Sequence, residues 1–337
     1  MPERPQALFA LTARNLPHLF PPDLLARLRA RVDIDPGLAV GGFTGPRVRE
    51  VLSRTEILVT GWGCPRLDAD ALDAAPRLRA VLHAAGSVKG FVTPEVWRRG
   101  IVVSSAAEAN ALPVAEYALA MILLTGKNTF ARLGPPHPGR AFPSDGTVPL
   151  AGPGNHGRRV GIVGASRVGR RLIGLLRPHG LRVVLSDPYV DPAGAARMGV
   201  PLLPLDELLR TCDVVTLHAP DTPETRHLIG ARELALMPDG SVLLNTARGA
   251  LVDHDALVAR LRTGRLTAVL DVTDPEPLPP GSPLHVLPNA VVTPHLAGSE
   301  GNELARLGLT VVEEAERLLA GAPLAHAVDP ALLERSA

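Results

Sequence analysis

Val160-Gly161-Ile162-Val163-Gly164-Ala165-Ser166-Arg167-Val168-Gly169 is the stretch that decides the fold. A short apolar run, the pattern of a buried strand, ends on a glycine, and a second glycine five positions later opens a helical pattern. A dinucleotide-binding turn needs glycine first, to turn tightly out of the strand, and glycine last, so that helix and strand pack closely. Gly164 and Gly169 meet both needs. The middle glycine of such turns lets the backbone approach a pyrophosphate, and here that position is Ser166. Its Cβ would crowd the phosphates, while its hydroxyl could donate a hydrogen bond to them. Asp187 follows about 20 residues later, at the end of the next strand-like run. A carboxylate there accepts from ribose hydroxyls and repels a 2′-phosphate, so NAD is expected over NADP. The backbone N–H groups of Arg167 and Val168 are expected to hold the pyrophosphate at the helix N-terminus.

Outward from this turn the sequence alternates regularly. Strands are predicted at Val160–Val163, Arg182–Ser186, Asp213–Leu217, Ser241–Asn245, Thr267–Asp271 and Ala290–Thr293. Helices are predicted between them, among them Val168–Arg177, Leu205–Thr211 and Asp255–Thr263. Repeated strand–helix–strand units require right-handed crossovers and a parallel sheet. The first hundred residues repeat the pattern, with strands at Ala7–Leu11, Glu56–Thr60, Leu78–His83 and Ile101–Ser104 and a helix at Pro22–Arg31. These runs are short and nearly all apolar, which suits strands covered on both faces. A longer helix is predicted from Leu112 to Thr125, a Pro- and Gly-rich connector over 134–157, and a last helix over Gly301–Leu319.

Composition narrows the function. The chain has 337 residues, 35 basic and 34 acidic, for a net charge of +1. Charges so balanced and interleaved give no footprint for nucleic acid or an anionic membrane. Aromatic residues make up 3%, too few for base-stacking platforms. No uninterrupted apolar run approaches the roughly 18 residues of a membrane span, so none is expected. Two cysteines, Cys64 and Cys212, make neither a disulfide framework nor a metal cluster, which fits a cytoplasmic protein without a bound metal. The apolar stretch Ala7–Leu11 is too short for a secretory signal.

Three segments stand at strand C-termini of the second series, where open α/β sheets bind ligands. They are Asn245-Thr246-Ala247-Arg248-Gly249, Asp271-Val272-Thr273-Asp274-Pro275-Glu276-Pro277 and Thr293-Pro294-His295-Leu296-Ala297-Gly298. With the glycine turn, this ordered set resembles the D-isomer-specific 2-hydroxyacid dehydrogenases, from about His83 to Ala297. The resemblance implies an NAD-dependent oxidoreductase acting on a small 2-hydroxy or 2-keto acid, with Arg248, Glu276 and His295 as the catalytic set. Such a reaction moves a hydride while a base handles the hydroxyl proton. Imidazole titrates near neutrality, so His295 could accept the proton in one direction and donate it in the other. Glu276 would hold the ring and stabilise the imidazolium. Arg248, permanently charged and forked, suits a substrate carboxylate.

By the same resemblance Asp271 would meet the nicotinamide carboxamide, and Pro220, Thr246, Ala247, Arg248, His295 and Gly298 would line the cofactor. Ala85-Gly86-Ser87-Val88-Lys89 is similar to the family loop whose backbone N–H groups receive the substrate carboxylate, so Gly86 and Ser87 are candidate substrate contacts. Family members often carry Gly at Ser87 and Asp at Lys89. Trp62, in the apolar loop after the strand Glu56–Thr60, is the expected wall of the substrate pocket. His218, at a strand end, is expected to be structural at least as readily as functional, while His83, at the end of the strand before the substrate loop, and Glu116 are expected to be structural rather than functional. The implied architecture is two doubly wound α/β domains with a cleft between them. A Rossmann-type NAD domain (105–298) is inserted into a discontinuous, flavodoxin-like substrate domain (1–104 and 299–337). The connector lies near the family's dimer interface, so a homodimer is expected. Two rivals remain: phosphite oxidation on the same scaffold, and an NAD(H)-sensing interaction protein. Glu276 argues against a third, formate oxidation, where the family pattern has Gln.

Overall fold

The computed structural model describes residues 4–132 and 154–333. Most of the Pro- and Gly-rich connector, and with it the dimer-interface reading, lies outside the described residues. The chain divides into two compact units, Met1–Ala111 with Ser299–Ser336, and Leu112–Gly298.

The first unit is a five-stranded parallel sheet of β1 (Ala7–Ala10), β2 (Ala39–Val40), β3 (Ile57–Thr60), β4 (Ala80–His83) and β5 (Val102–Ser105). Its spatial order is β2-β1-β3-β4-β5, the flavodoxin-like order. Alternate side chains of a strand point to opposite faces, and both faces here are covered. Phe9, Ile57, Val59 and Leu82 pack on one side with Leu307, Val311, Val312 and Ala315 from the last helix, Leu304–Leu319. Leu8, Leu58, Val81 and Val103 pack on the other with Leu72, Phe91 and Val96. That two-sided burial is why these strands read as continuous apolar runs. The edge strand β2 went unpredicted because it is two residues long and flanked by Gly37, Gly41 and Gly42. The last helix starts later than predicted, since Gly301–Glu303 form a separate 3₁₀ turn.

The second unit is a six-stranded parallel sheet of β6 (Arg159–Val163), β7 (Arg182–Ser186), β8 (Val214–Leu217), β9 (Ser241–Asn245), β10 (Leu266–Leu270) and β11 (Ala290–Val292). The order β11-β10-β9-β8-β6-β7 reverses direction between β6 and β8. Loops leaving adjacent strands at such a reversal diverge and leave room for a ligand. The glycine turn stands at this point.

The long helix spans Ala107–Gly126, five residues earlier at its start than predicted. Pro113 lies inside it and removes one backbone donor, which is what made the first turn unreadable from sequence. By length and composition this helix could cross a membrane. Its apolar residues instead serve as core: Ala109 packs into the first unit, and Ala115, Ala118 and Ile122 into the second.

Candidate active site

The glycine turn opens the helix Arg167–Leu176. Gly164 has φ +100°, and a Cβ there would stand 2.6 Å from the backbone nitrogen of Ala219, in the loop after β8. A Cβ on Gly169 would strike the Gly164 carbonyl oxygen. Both glycines are therefore required by close backbone approach, as the spacing implied. Ser166 turns out to cap the helix, its Oγ accepting from Gly169 N at 3.3 Å. This use of the hydroxyl was not foreseen, and it leaves the hydroxyl hydrogen available to a ligand. Arg167 is exposed and Val168 half-buried beside it. Asp187 reaches back to the turn: its Oδ2 accepts from Ala165 N at 2.6 Å and its Oδ1 from Tyr189 N at 2.7 Å.

The loop after β9 is shaped by Asn245, a fully buried side chain. Its Oδ1 accepts from Ala247 N at 3.0 Å and its Nδ2 donates to Arg248 O at 2.8 Å. Arg248 is half-buried and donates from Nη1 to Ala247 O at 2.6 Å. Gly249 lies against the backbone of Thr273 and Asp274, where any Cβ would collide with the Thr273 carbonyl. The loops after β9 and β10 are thereby interlocked. Thr246 Oγ1 is buried without a hydrogen-bond partner in the protein. An orphaned hydroxyl in a ligand-binding loop fits a polar cofactor that completes it, as the glycine cradle fits a pyrophosphate. Pro220, after β8, accepts from the Thr225 hydroxyl at 2.6 Å.

The loops after β10 and β11 bring Glu276 and His295 together, with His295 Nδ1 2.6 Å from Glu276 Oε1. An ionised carboxylate only accepts, so Nδ1 carries the hydrogen and Nε2 is left for proton exchange. Both side chains are about half exposed. His295 itself has φ +55°, a left-handed conformation uncommon outside glycine. Asp271, just beyond β10, is 2% exposed, and its carboxylate is engaged by this turn. Oδ1 accepts from Thr293 Oγ1 at 2.6 Å and Leu296 N at 2.9 Å, and Oδ2 from Ala297 N at 3.0 Å. The sequence reading had given Asp271 to the cofactor alone. Gly298 closes the segment, half-buried.

His218 is fully buried and 2.9 Å from the Thr216 hydroxyl through Nε2. Burial pushes its pKa down to about 3, so it stays neutral near pH 7. In the first unit, burial likewise pushes His83 down to about 4, against a backbone hydrogen bond with Ser87 that favours its charged form. Its Nδ1 is 2.9 Å from Thr60 Oγ1, and its ring packs against Phe91. His83 thus braces the Gly86–Ser87 loop, where Ser87 is exposed and Gly86 half-buried. Trp62 is 40% exposed, and its carbonyl accepts from Thr12 N at 2.8 Å, tying the loops after β1 and β3 together. Glu116 is exposed on the long helix.

Sequence reasoning passed over Asn245 and Thr293 as members of the site, though both stand inside the quoted motifs. It also passed over Tyr117, whose hydroxyl meets Thr293 from 176 positions away and left no local signal.

Residues 145–297 match the model of the D-isomer specific 2-hydroxyacid dehydrogenase, NAD binding domain. A D-3-phosphoglycerate dehydrogenase of Mycobacterium tuberculosis is 36% identical over 266 residues, covering 78% of this chain and 49% of that protein. A glyoxylate reductase of Korarchaeum cryptofilum is 32% identical over 248 residues, covering 73% of this chain and 75% of its own length. A crystal structure of a Thermus thermophilus protein superposes with a TM-score of 0.74 at 33% identity, over 96% of this chain and all of that one. The chain spans about half the length of the curated phosphoglycerate dehydrogenases it matches.

Proposed function

The chain belongs to the D-isomer-specific 2-hydroxyacid dehydrogenases, and on that premise we propose that it interconverts a small 2-hydroxy acid and its 2-keto acid with NAD as cofactor. The observation that carries the reading is the 2.6 Å pair of His295 Nδ1 and Glu276 Oε1 at the C-terminal edge of the sheet. Bound NAD supplies a two-electron hydride acceptor or donor. The remaining work falls to the chain's own residues.

His295 Nε2 takes the hydroxyl proton in oxidation and returns it to the carbonyl oxygen in reduction. Glu276 keeps Nδ1 protonated and offsets the positive charge that develops on the ring. Arg248 pairs with the substrate carboxylate through its planar fork, and Asn245 sets the loop from which it projects. In the first unit, the backbone N–H groups of Gly86 and Ser87 are the proposed substrate contacts. Arg167 and Val168 N–H hold the pyrophosphate, Asp187 the ribose hydroxyls, and Thr246 offers its orphaned hydroxyl. Ala247, Pro220 and Gly298 line the same cofactor. Asp271 keeps acceptor capacity on Oδ2 for the carboxamide while it holds the His295 turn.

The family resemblance also supports an inserted NAD domain, a homodimer and a cytoplasmic location. Light scattering on the purified chain reads the oligomer directly. The activity is tested by following NADH absorbance as each of a panel of 2-keto acids is added, with NADPH in parallel. Loss of absorbance with at least one keto acid is the expected result. No turnover across the panel would remove the reading.

A further inference from the structure

The turn that presents His295 is tied to its unit largely through one buried carboxylate. Asp271 takes hydrogen bonds from Thr293 Oγ1, Leu296 N and Ala297 N, and its own carbonyl accepts from His295 N at 3.0 Å. Such anchoring is needed. A residue with a Cβ holds the left-handed φ of +55° only where its surroundings over-determine it.

Thr293 has one hydroxyl hydrogen, and it goes to Asp271 Oδ1 at 2.6 Å. The same hydroxyl oxygen lies 2.7 Å from the hydroxyl of Tyr117. With the threonine hydrogen committed, the phenol must be the donor. The chain of donation therefore has one direction, from Tyr117 to Thr293 to Asp271. Burial raises the phenol above its ordinary value and the Asp271 charge adds to this, so the donor hydrogen is present throughout the physiological range. Tyr117 projects from a helix whose Ala115, Ala118 and Ile122 are locked in the core of the second unit. The donor is thus mounted on a rigid element rather than on a loop.

We infer that Tyr117 is a positioning residue for His295, acting through the hydroxyl of Thr293 and the carboxylate of Asp271 to fix the turn that aims the imidazole. A phenol that merely satisfied itself could have done so with water at its half-exposed position. Here it donates instead to the hydroxyl that joins the turn to Asp271. The consequence for turnover rests on the role proposed above for His295, whereas the consequence for ring position does not.

The test uses the full chain with Tyr117→Phe, Thr293→Val, Thr293→Ser and the Tyr117→Phe/Thr293→Val pair. In ring-labelled histidine NMR without cofactor or substrate, the His295 signal is identified by its loss in His295→Gln. Tyr117→Phe should shift or broaden that signal while leaving those of the exposed His18 and His285 in place. In steady state, kcat should fall about 10- to 100-fold, the cost of a small misplacement of a reacting group, with the KM for NADH unchanged. Thr293→Val should reproduce both effects, the pair should be no worse than either alone, and Thr293→Ser should restore both. Should Tyr117→Phe fail to fold, the contrast between Thr293→Val and Thr293→Ser reads the same relay. An unmoved His295 signal in Tyr117→Phe, or losses in the pair that simply multiply, would overturn the inference. If the wild-type chain turns over no keto acid, the functional reading fails, and the NMR comparison still decides the relay.

Discussion

Ala165 N donates to Asp187 Oδ2 at 2.6 Å, so the carboxylate expected to choose between two cofactors also braces the turn that holds them. The two tasks are compatible. A carboxylate offers about four acceptor sites, and only one on each oxygen is taken by the backbone, at Ala165 and at Tyr189. The charge stays fixed at the end of β7 because both tethers are short and both donors belong to the main chain.

From this arrangement NADH should be preferred to NADPH by about tenfold or more in kcat/KM, since a 2′-phosphate would meet a tethered negative charge. Equal use of the two cofactors would show that Asp187 does not face the ribose. Ser166→Gly should change NADH affinity little, because glycine at a helix N-cap costs only a few tenths of a kcal/mol relative to serine. A loss beyond about tenfold would mean that the hydroxyl hydrogen reaches the pyrophosphate as well as the oxygen capping Gly169.

His295→Gln should leave NADH binding nearly intact and lower turnover by about 100-fold or more, the usual worth of acid–base help. Arg248→Ala should raise the KM for the keto acid and lower kcat together, because the guanidinium would both hold the carboxylate in the ground state and polarise the reacting oxygen in the transition state. Near-normal turnover in His295→Gln would remove the imidazole from the mechanism. Fluorescence titration with NADH separates the two variants from general damage.

How much of this was legible in the sequence depended on the range of the signal. Arg182–Ser186 and Ser241–Asn245 are strands with the bounds the sequence predicted, because each has a run of three apolar residues, Val183–Leu185 and Val242–Leu244, bounded on both sides by polar ones. Gly169 was legible because the carbonyl it must clear, that of Gly164, is five positions away, and Gly164 because its φ of +100° is a local demand of the turn, whereas its approach to Ala219 left no local signal. The collision that fixes Gly249 was not legible, since its partner is the Thr273 backbone on the next strand's loop. The hub role of Asp271 was hidden for the same reason, its three donors lying 22 to 26 positions away. His83 could be placed near the substrate loop from sequence, but its hold on Thr60 and Ser87 needed the sheet to bring β3 and β4 side by side.

Gly249→Ala should destabilise the second unit by about 1–3 kcal/mol, because the added methyl meets backbone that cannot rotate away. Turnover should fall with it, as the loops bearing Arg248 and Glu276 are pushed apart. A melting temperature matching the wild type's would show that these loops are free to separate.

Acid should weaken the fold through two buried histidines. His218 and His83 are held at about 3 and about 4 in the folded chain, against an ordinary value of 6.5. Below 6.5 the unfolded chain binds protons that the folded chain refuses, so stability rises with pH across this window and is complete above it. By pH 5 each histidine should remove about 2 kcal/mol, at roughly 1.4 kcal/mol per unit of pH. Urea midpoints at pH 7.5 and pH 5 measure the loss, and His218→Gln should flatten its share. Equal wild-type midpoints would mean that both rings take up protons without unfolding.

The substrate prediction follows from where Trp62 stands. In the first unit the strand order reverses between β1 and β3, and the bond from Thr12 N to the Trp62 carbonyl joins the loops that leave those two strands. Ligands of open α/β sheets bind at such reversals, which makes Trp62 the side chain to expect against a substrate's carbon chain. Its loop, Gly61-Trp62-Gly63-Cys64-Pro65, carries no charge before Arg66. A phosphorylated acid needs cations beyond the one that takes its carboxylate, because an unpaired phosphate is costly to bury. Non-phosphorylated keto acids such as glyoxylate, hydroxypyruvate or larger apolar ones should therefore be reduced better than phosphohydroxypyruvate. Trp62→Ala should move the preference toward bulkier side chains, because it removes a wall rather than a contact. A panel of keto acids run on both proteins reads the two effects as ratios of kcat/KM, free of enzyme concentration. Phosphohydroxypyruvate emerging as the best substrate would refute the idea. The exposed Arg14, on the loop joined to Trp62, with Arg66 and Lys89, would then be the cations to replace first.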